Sequence, residues 1–277
     1  MDISICSYSF HRLLADGKQD IFGYITACKT LGCTFLDPWN GHLPVLKKGD
    51  AAADAAEDPL RAAHLDNAEL EHLASVKAAA ASVGLPFGLI AVDGAHIYES
   101  DARKRSANRA RAYRWLEVAG RLGARQVRID AGGPEEMPDE VFGIICDGYR
   151  DLIARGSEYG LQILIENHWG PSKIPDNVIK ILENVQGLGL LLDTHNWKEG
   201  LKDEGRRRCA AYATATHIKT LEWDAEGNEI AEDIPRAIGY LKQAGYRGCW
   251  GIESCPKDGQ EMEAARRSVA LVRRLVR

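Results

Sequence analysis

No CxxC pair occurs among the seven cysteines, Cys6, Cys28, Cys33, Cys146, Cys209, Cys249 and Cys255. Their number is odd and their spacing is scattered, so neither a disulfide framework nor a thiolate zinc site is expected. The chain also lacks any apolar run of about 18 residues, the length a membrane-spanning helix needs, so no membrane partner is expected. Basic residues are in the minority: 35 Lys+Arg face 40 Asp+Glu, a net charge of −5. That balance does not suit a phosphate backbone, so no nucleic-acid partner is expected. The opening MDISICSYSF has no basic stretch leading into a long apolar core. No export leader is read there, and a reducing, cytoplasmic setting is expected. No GxGxxG follows the first apolar run, which argues against a doubly wound dinucleotide fold.

What the chain does have is globular composition, 45 % hydrophobic and 27 % charged, which excludes disorder. Short apolar runs alternate with helical patterns throughout. The runs at 3–7, 35–39, 87–92, 126–130, 162–167, 189–193, 216–219 and 250–254 read as eight strands. Apolar residues recur at helical spacing over 21–31, 70–83, 107–122, 141–159, 178–185, 205–213, 234–244 and 262–276. Asp20 and Asp233 stand where N-caps belong, and Gly32, Gly84, Gly123, Gly160 and Gly245 where left-handed helix ends belong. Eight strand–helix units in 277 residues, about 35 residues each, predict an α/β chain folded as a single (β/α)8 TIM barrel over 1–277. The irregular, Ala- and Asp-rich stretch 41–65 is expected to decorate the barrel mouth.

In such barrels the working residues sit at the C-terminal ends of the strands. Here four successive strands end in polar groups: LIENH places Glu166, LLLDTHN places Asp193, THIK places His217, and WGIES places Glu253. Ionised carboxylates gathered in a barrel mouth lose hydration and repel each other unless a cation compensates them. Lys219 and Arg128 are too few to balance three. Three oxygen donors and one imidazole suit one divalent metal ion, with Mn²⁺ favoured and Mg²⁺, Co²⁺ or Zn²⁺ as alternatives. The period of two along a strand puts His168 on the same side as Glu166, and Lys219 on the same side as His217. Both are then candidates for contacts to substrate oxygens, and Trp39 and His96 are candidate pocket walls. Arg128 with Asp130 reads as a structural ion pair. Ala131-Gly132-Gly133 is a weak candidate for binding an anion through backbone N–H groups.

The segments LIENHWG (164–170), LLLDTHNW (190–197), THIKTLEWD (216–224) and CWGIES (249–254), with SICSYSF and GCTFLDPW at the first two strands, resemble the xylose isomerase-like TIM barrels. That group includes sugar isomerases, ketose 3-epimerases, inosose dehydratases and an endonuclease. The resemblance implies that Glu166, Asp193, His217 and Glu253 hold the metal. It further implies that Glu166 and Glu253 act as an acid/base pair, moving a proton through a metal-bound enediolate of a small carbohydrate. A lyase or dehydratase acting on a keto-sugar or inosose is the alternative, since it shares the first proton abstraction. Relatives are often dimers or tetramers, so a homo-oligomer is expected. The chain departs from the ketose 3-epimerases at two positions. They carry a His where Asn196 stands and an Arg where Trp223 stands, and both residues grip substrate, so Asn196 becomes a substrate-contact candidate of different chemistry. Asp37 stands where many relatives have Glu. An endonuclease would need more histidines than the eight present and a basic stripe that is missing. A non-catalytic sugar-binding barrel would have no need of four metal donors.

Overall fold

A computed structural model of the chain describes residues 1–46, 50 and 63–277. Part of the irregular stretch 41–65 therefore lies outside the described residues. Among the described residues, seven parallel strands follow one another around a curled sheet: β1 (Ile3–Ile5), β2 (Leu89–Val92), β3 (Gln126–Ile129), β4 (Gln162–Glu166), β5 (Gly189–Asp193), β6 (Ala213–Thr220) and β7 (Trp250–Ser254). The hydrogen-bonded order is β1-β7-β6-β5-β4-β3-β2.

The eighth stave, expected at 35–39, closes the barrel by isolated bridges rather than a ladder. Asp37 pairs with Cys6 on one side, and Leu36 and Trp39 pair with Phe87 and Ala91 on the other. Pro38 and Pro86 explain the interruption. Each lacks an N–H, so a continuous ladder cannot form there. Their carbonyls still accept, from Ala91 N at 3.0 Å and from Leu36 N at 2.9 Å.

Helices alternate with the strands: α1 (His11–Ala15), α2 (Ile21–Leu31), α3 (Asn67–Ser82), α4 (Ala102–Leu122), α5 (Asp139–Ser157), α6 (Pro175–Asn184), α7 (Lys202–Cys209), α8 (Ile234–Gln243) and α9 (Glu261–Val276). Their ends carry the signals the sequence offers. Asp20 accepts from Gly23 N at 2.8 Å, and Gly32 closes α2 at φ +75°, a left-handed conformation that favours glycine. Asp66 and Glu69 form a reciprocal capping box at the start of α3.

Alternation along the strands splits the apolar residues into two cores. Ile90, Ile165, Leu190, Leu192, Ile218 and Ile252 face outward into the large core beneath the helices. Leu89, Leu164, Leu191 and Ala215 form a separate cluster. Two residues further along their strands stand Glu166, Asp193 and His217, and the same step leads from Gly251 to Glu253. The side-chain period of two therefore stacks the polar layer on the small apolar one, at the C-terminal rim.

Candidate metal centre at the barrel mouth

Glu166, Asp193, His217 and Glu253 each offer one ligand atom, and these atoms all lie within 4.8 Å of one another. All four side chains are buried. The strand registers bring them together: β5 pairs Asp193 with His217, and β7 pairs Glu253 with Lys219. Asn167, pointing the other way from Glu166, clamps β4 to β5. Its Nδ2 donates to Asp193 O, and its Oδ1 accepts from Asp193 N, both at 2.9 Å.

Three buried atoms of the cluster make no hydrogen bond: Glu166 Oε2, Asp193 Oδ2 and His217 Nδ1. Arg128 Nε lies 2.8 Å from Glu166 Oε2 as an ion pair without being aligned to donate to it. His217 Nδ1 is 3.1 Å from Glu253 Oε2, while Nε2 is 3.2 Å from Asp37 Oδ2. A histidine that donates Nε2–H to a carboxylate keeps the Nδ1 lone pair for a cation, which is how metal-binding imidazoles are commonly oriented. Orphaned polar atoms of this kind are costly when buried. One divalent ion would satisfy all three, so the donor set fits a hard or borderline metal.

Electrostatics set the two glutamates apart. Burial pushes the Glu166 carboxyl up from its ordinary value, against the pull of Arg128, His168 and His217. Burial acts on Glu253 in the same direction, but Lys219 and His217 overcome it and hold Glu253 well below the usual carboxylate range. Lys219 Nζ sits 2.6 Å from Glu253 Oε1 and 3.4 Å from Asp193 Oδ2. Burial opposes its charge, yet Asp193 and Glu253 keep it an ammonium. His217 likewise holds its proton firmly, against burial, because of Asp37 and then Cys6. A metal entering the cluster must displace a proton from it.

A cavity of about 190 Å³ opens onto the cluster, lined by Tyr8, Trp39, Asp93, Arg128, His168 and Lys219 together with Cys6, Glu166 and Glu253. A larger groove of about 390 Å³ between α4 and α5 shares no residue with it, and its charged pair Arg109–Asp151 is mutually satisfied at 2.5 Å. Trp39, His168 and Lys219 thus line the cavity. Asn196 Nδ2 lies 3.4 Å from Glu166 Oε1, and Asn196 N donates to Asp193 Oδ1 at 3.0 Å. His96 does not line the cavity. Its Nε2 is 2.7 Å from Glu99 Oε1, and its ring packs edge-on against Trp169. Trp223 pairs with Glu229 in a small antiparallel bridge.

Asp93 and Cys6 also belong to the mouth, although neither is among the site residues expected from the sequence. Asp93, following β2, takes Trp39 Nε1–H on Oδ2 at 2.7 Å and Arg128 on Oδ1 at 2.8 Å. Arg128 does pair with Asp130, at 2.9 Å, but it also bridges to Asp93 and Glu166. His168 Nδ1 approaches Asp130 Oδ2 at 3.2 Å. Burial works against the His168 charge, but Glu166 and Asp130 raise its pKa to about 9. Cys6 is buried beside His217 and Glu253, and burial pushes its thiol up to about 12. The period of two was the available signal for Asp93, since it continues the line through Leu89 and Ala91. Cys6 looked like any core cysteine.

Comparison with known proteins adds the following. Residues 25–275 match the family model of the xylose isomerase-like TIM barrel. No curated protein matches the chain in sequence. Among solved structures it is similar to a 3-keto-D-glucoside 4-epimerase from E. coli, at 16 % identity and TM-score 0.69, covering 92 % of this chain and 95 % of that one. It is also similar to the D-psicose 3-epimerase of Clostridium cellulolyticum H10, determined with D-tagatose, at 13 % identity and TM-score 0.70, covering 100 % and 99 %. A third likeness is to a probable 3-DHS dehydratase from Bacillus anthracis, at 12 % identity and TM-score 0.67, covering 99 % of each chain. At these identities the likenesses establish the barrel fold.

Proposed function

We propose that this chain, which belongs to the xylose isomerase-like TIM barrel family, is a divalent-metal-dependent isomerase or epimerase of a small carbohydrate. The observation that carries the reading is the meeting of Glu166, Asp193, His217 and Glu253 within 4.8 Å, with three of their buried atoms left without a hydrogen bond. The cavity of about 190 Å³ is smaller than the roughly 300–1,000 Å³ of drug-sized pockets and suits one small substrate.

These four residues would hold the metal, with Mn²⁺ favoured by the oxygen-rich set. When bound, the ion would polarise the substrate carbonyl and so acidify the neighbouring C–H. The chain's own residues would do the rest. Glu253, kept ionised by Lys219, takes the proton. Glu166 returns one. A pair of carboxylates flanking one carbon can exchange its proton between them. Lys219 and His168 offer N–H donors to substrate oxygens, and Trp39 supplies a wall.

The lyase reading shares the abstraction step, and Asn196 and Trp223, standing where the ketose 3-epimerases carry a substrate-gripping His and Arg, leave the substrate class open to it. The test is a screen of ketoses, keto-acids and inososes in D₂O with Mn²⁺, read by NMR and product mass. Deuterium uptake without change of composition is expected. It should stop on chelation and in Glu166→Gln and Glu253→Gln. Loss of water from the product would instead establish the lyase, and full activity in both variants would sink the acid/base assignment.

A further inference from the structure

The oxygen-rich cluster is not the only cation-binding geometry in the mouth. The pairing of Ile5 with Ile252 between β1 and β7 sets the next residue of each strand, Cys6 and Glu253, side by side, and Cys6 N donates to Ile252 O at 2.7 Å. His217 approaches both from β6. The Cys6 sulfur, a His217 ring nitrogen and a Glu253 oxygen lie within 4.8 Å of one another, and all three residues are buried. His217 Nδ1 has no hydrogen-bond partner there. Cys6 also lines the 190 Å³ cavity, so an ion entering the mouth reaches its sulfur.

We propose that Cys6, His217 and Glu253 form a second, thiolate-containing site that captures soft divalent ions such as Zn²⁺ or Cd²⁺. The site shares His217 and Glu253 with the oxygen-rich cluster, so the two positions cannot be filled together. One sulfur, one nitrogen and one oxygen donor is a soft, three-ligand set of the kind zinc-type ions take, whereas Mn²⁺ prefers oxygen. On capture the Cys6 S–H bond breaks, its proton passes to water, and the sulfur lone pair binds the ion. The consequence is a selectivity trap: a soft ion bound to Cys6 removes two ligands from the neighbouring position. Cys255, whose Sγ is 3.5 Å from Glu253 Oε1, lies outside the triad and serves as a control.

The test is titration of the full chain with Cd²⁺ alone, read by the ultraviolet thiolate-to-cadmium band, and of the Mn²⁺-loaded chain, read by release of the Mn²⁺ EPR signal. One band per chain is expected, with Mn²⁺ displaced. Cys6→Ser should lose the band and weaken Cd²⁺ by more than the roughly 10–100-fold typical of an outer-shell partner, while Cys255→Ser keeps both. Cadmium NMR of the unmodified chain makes the same distinction without a variant, because a sulfur ligand moves the resonance far downfield of an all-oxygen and nitrogen site. A wild-type chain without the band, or a Cys6→Ser chain that keeps it, overturns the proposal. Failure of Mn²⁺ to bind while Cd²⁺ gives the band would overturn the proposed function and leave this site standing.

Discussion

Two acid clusters share one barrel mouth, and they are balanced differently. Asp93 and Asp130 gather around the guanidinium of Arg128, with His168 beside them. Their cation is covalently part of the chain. Glu166, Asp193 and Glu253 have Lys219 on one side and Arg128 against Glu166 alone, and both Glu166 Oε2 and Asp193 Oδ2 lack a hydrogen bond, where the first cluster leaves only one carboxylate oxygen, Asp130 Oδ1, so. The difference teaches where an external ion belongs. A low-dielectric pocket that carries its own counter-charge has little to gain from a metal, and one that falls short has much to gain.

The largest effect should come from removing the internal cation. Arg128→Met leaves Asp93, Asp130 and Glu166 without it, and breaking a buried charge cluster in this way costs about 3–5 kcal/mol. Urea unfolding would measure the loss. The same variant should bind a second divalent ion per chain, because Asp93, Asp130 and His168 already stand within 4.8 Å of one another. A loss of less than about 1 kcal/mol, in the range of exposed pairs, would erase the contrast between the clusters.

A metal titration sharpens the other half. Mn²⁺ at 100 times its Kd should stabilise the chain by about 2.7 kcal/mol in thermal unfolding. Asp193→Asn should abolish that gain while changing the metal-free chain little, because relief of repulsion from Glu166 and Glu253 offsets the lost pairing with Lys219 at 3.4 Å. If Asp193→Asn is strongly destabilising without metal, the cluster is a structural one.

The smallest effect concerns a cluster just outside the mouth. Glu232 is buried against Arg206 and meets Lys202 at 2.7 Å and His195 at 2.5 Å. Burial disfavours its charge, but His195 and Lys202 outweigh this and lower its pKa to about 2 from 4.5. A depressed carboxylate stabilises the fold fully above the unfolded value and loses that contribution as the pH falls through the folded one. Stability should therefore decline between about pH 4.5 and 2, and Glu232→Gln should flatten that limb of the acid unfolding curve.

Much of this was legible in the sequence, for a physical reason. A carboxylate at the end of an apolar run is conspicuous, because burial makes it expensive. Glu166, Asp193, His217 and Glu253 stood out that way, and the period of two placed Lys219 and His168 beside them. Residues whose role depends on distant partners did not stand out. Arg128 could be paired with Asp130 two positions away, but its reach to Asp93 and Glu166 needs the neighbouring strands. Cys6 acquires chemical meaning only once β1 lies against β7. His96 was drawn toward Glu99, a local partner three residues on that competes with the cavity. The eighth strand fell short of a ladder because two prolines removed donors that composition alone did not weigh.

That interrupted stave has a bearing on motion. A hoop opens first at its loosest joint, and residues 36–39 are held to their neighbours by single bridges where other staves have ladders. Amides there should exchange with solvent ahead of those in β4 to β7. Asp37, which steadies the His217 ring, and Trp39, which walls the cavity, both ride on this seam. Opening at this seam would widen the mouth to admit a guest, while the ladders opposite keep the ligand atoms of Glu166 and Asp193 in place.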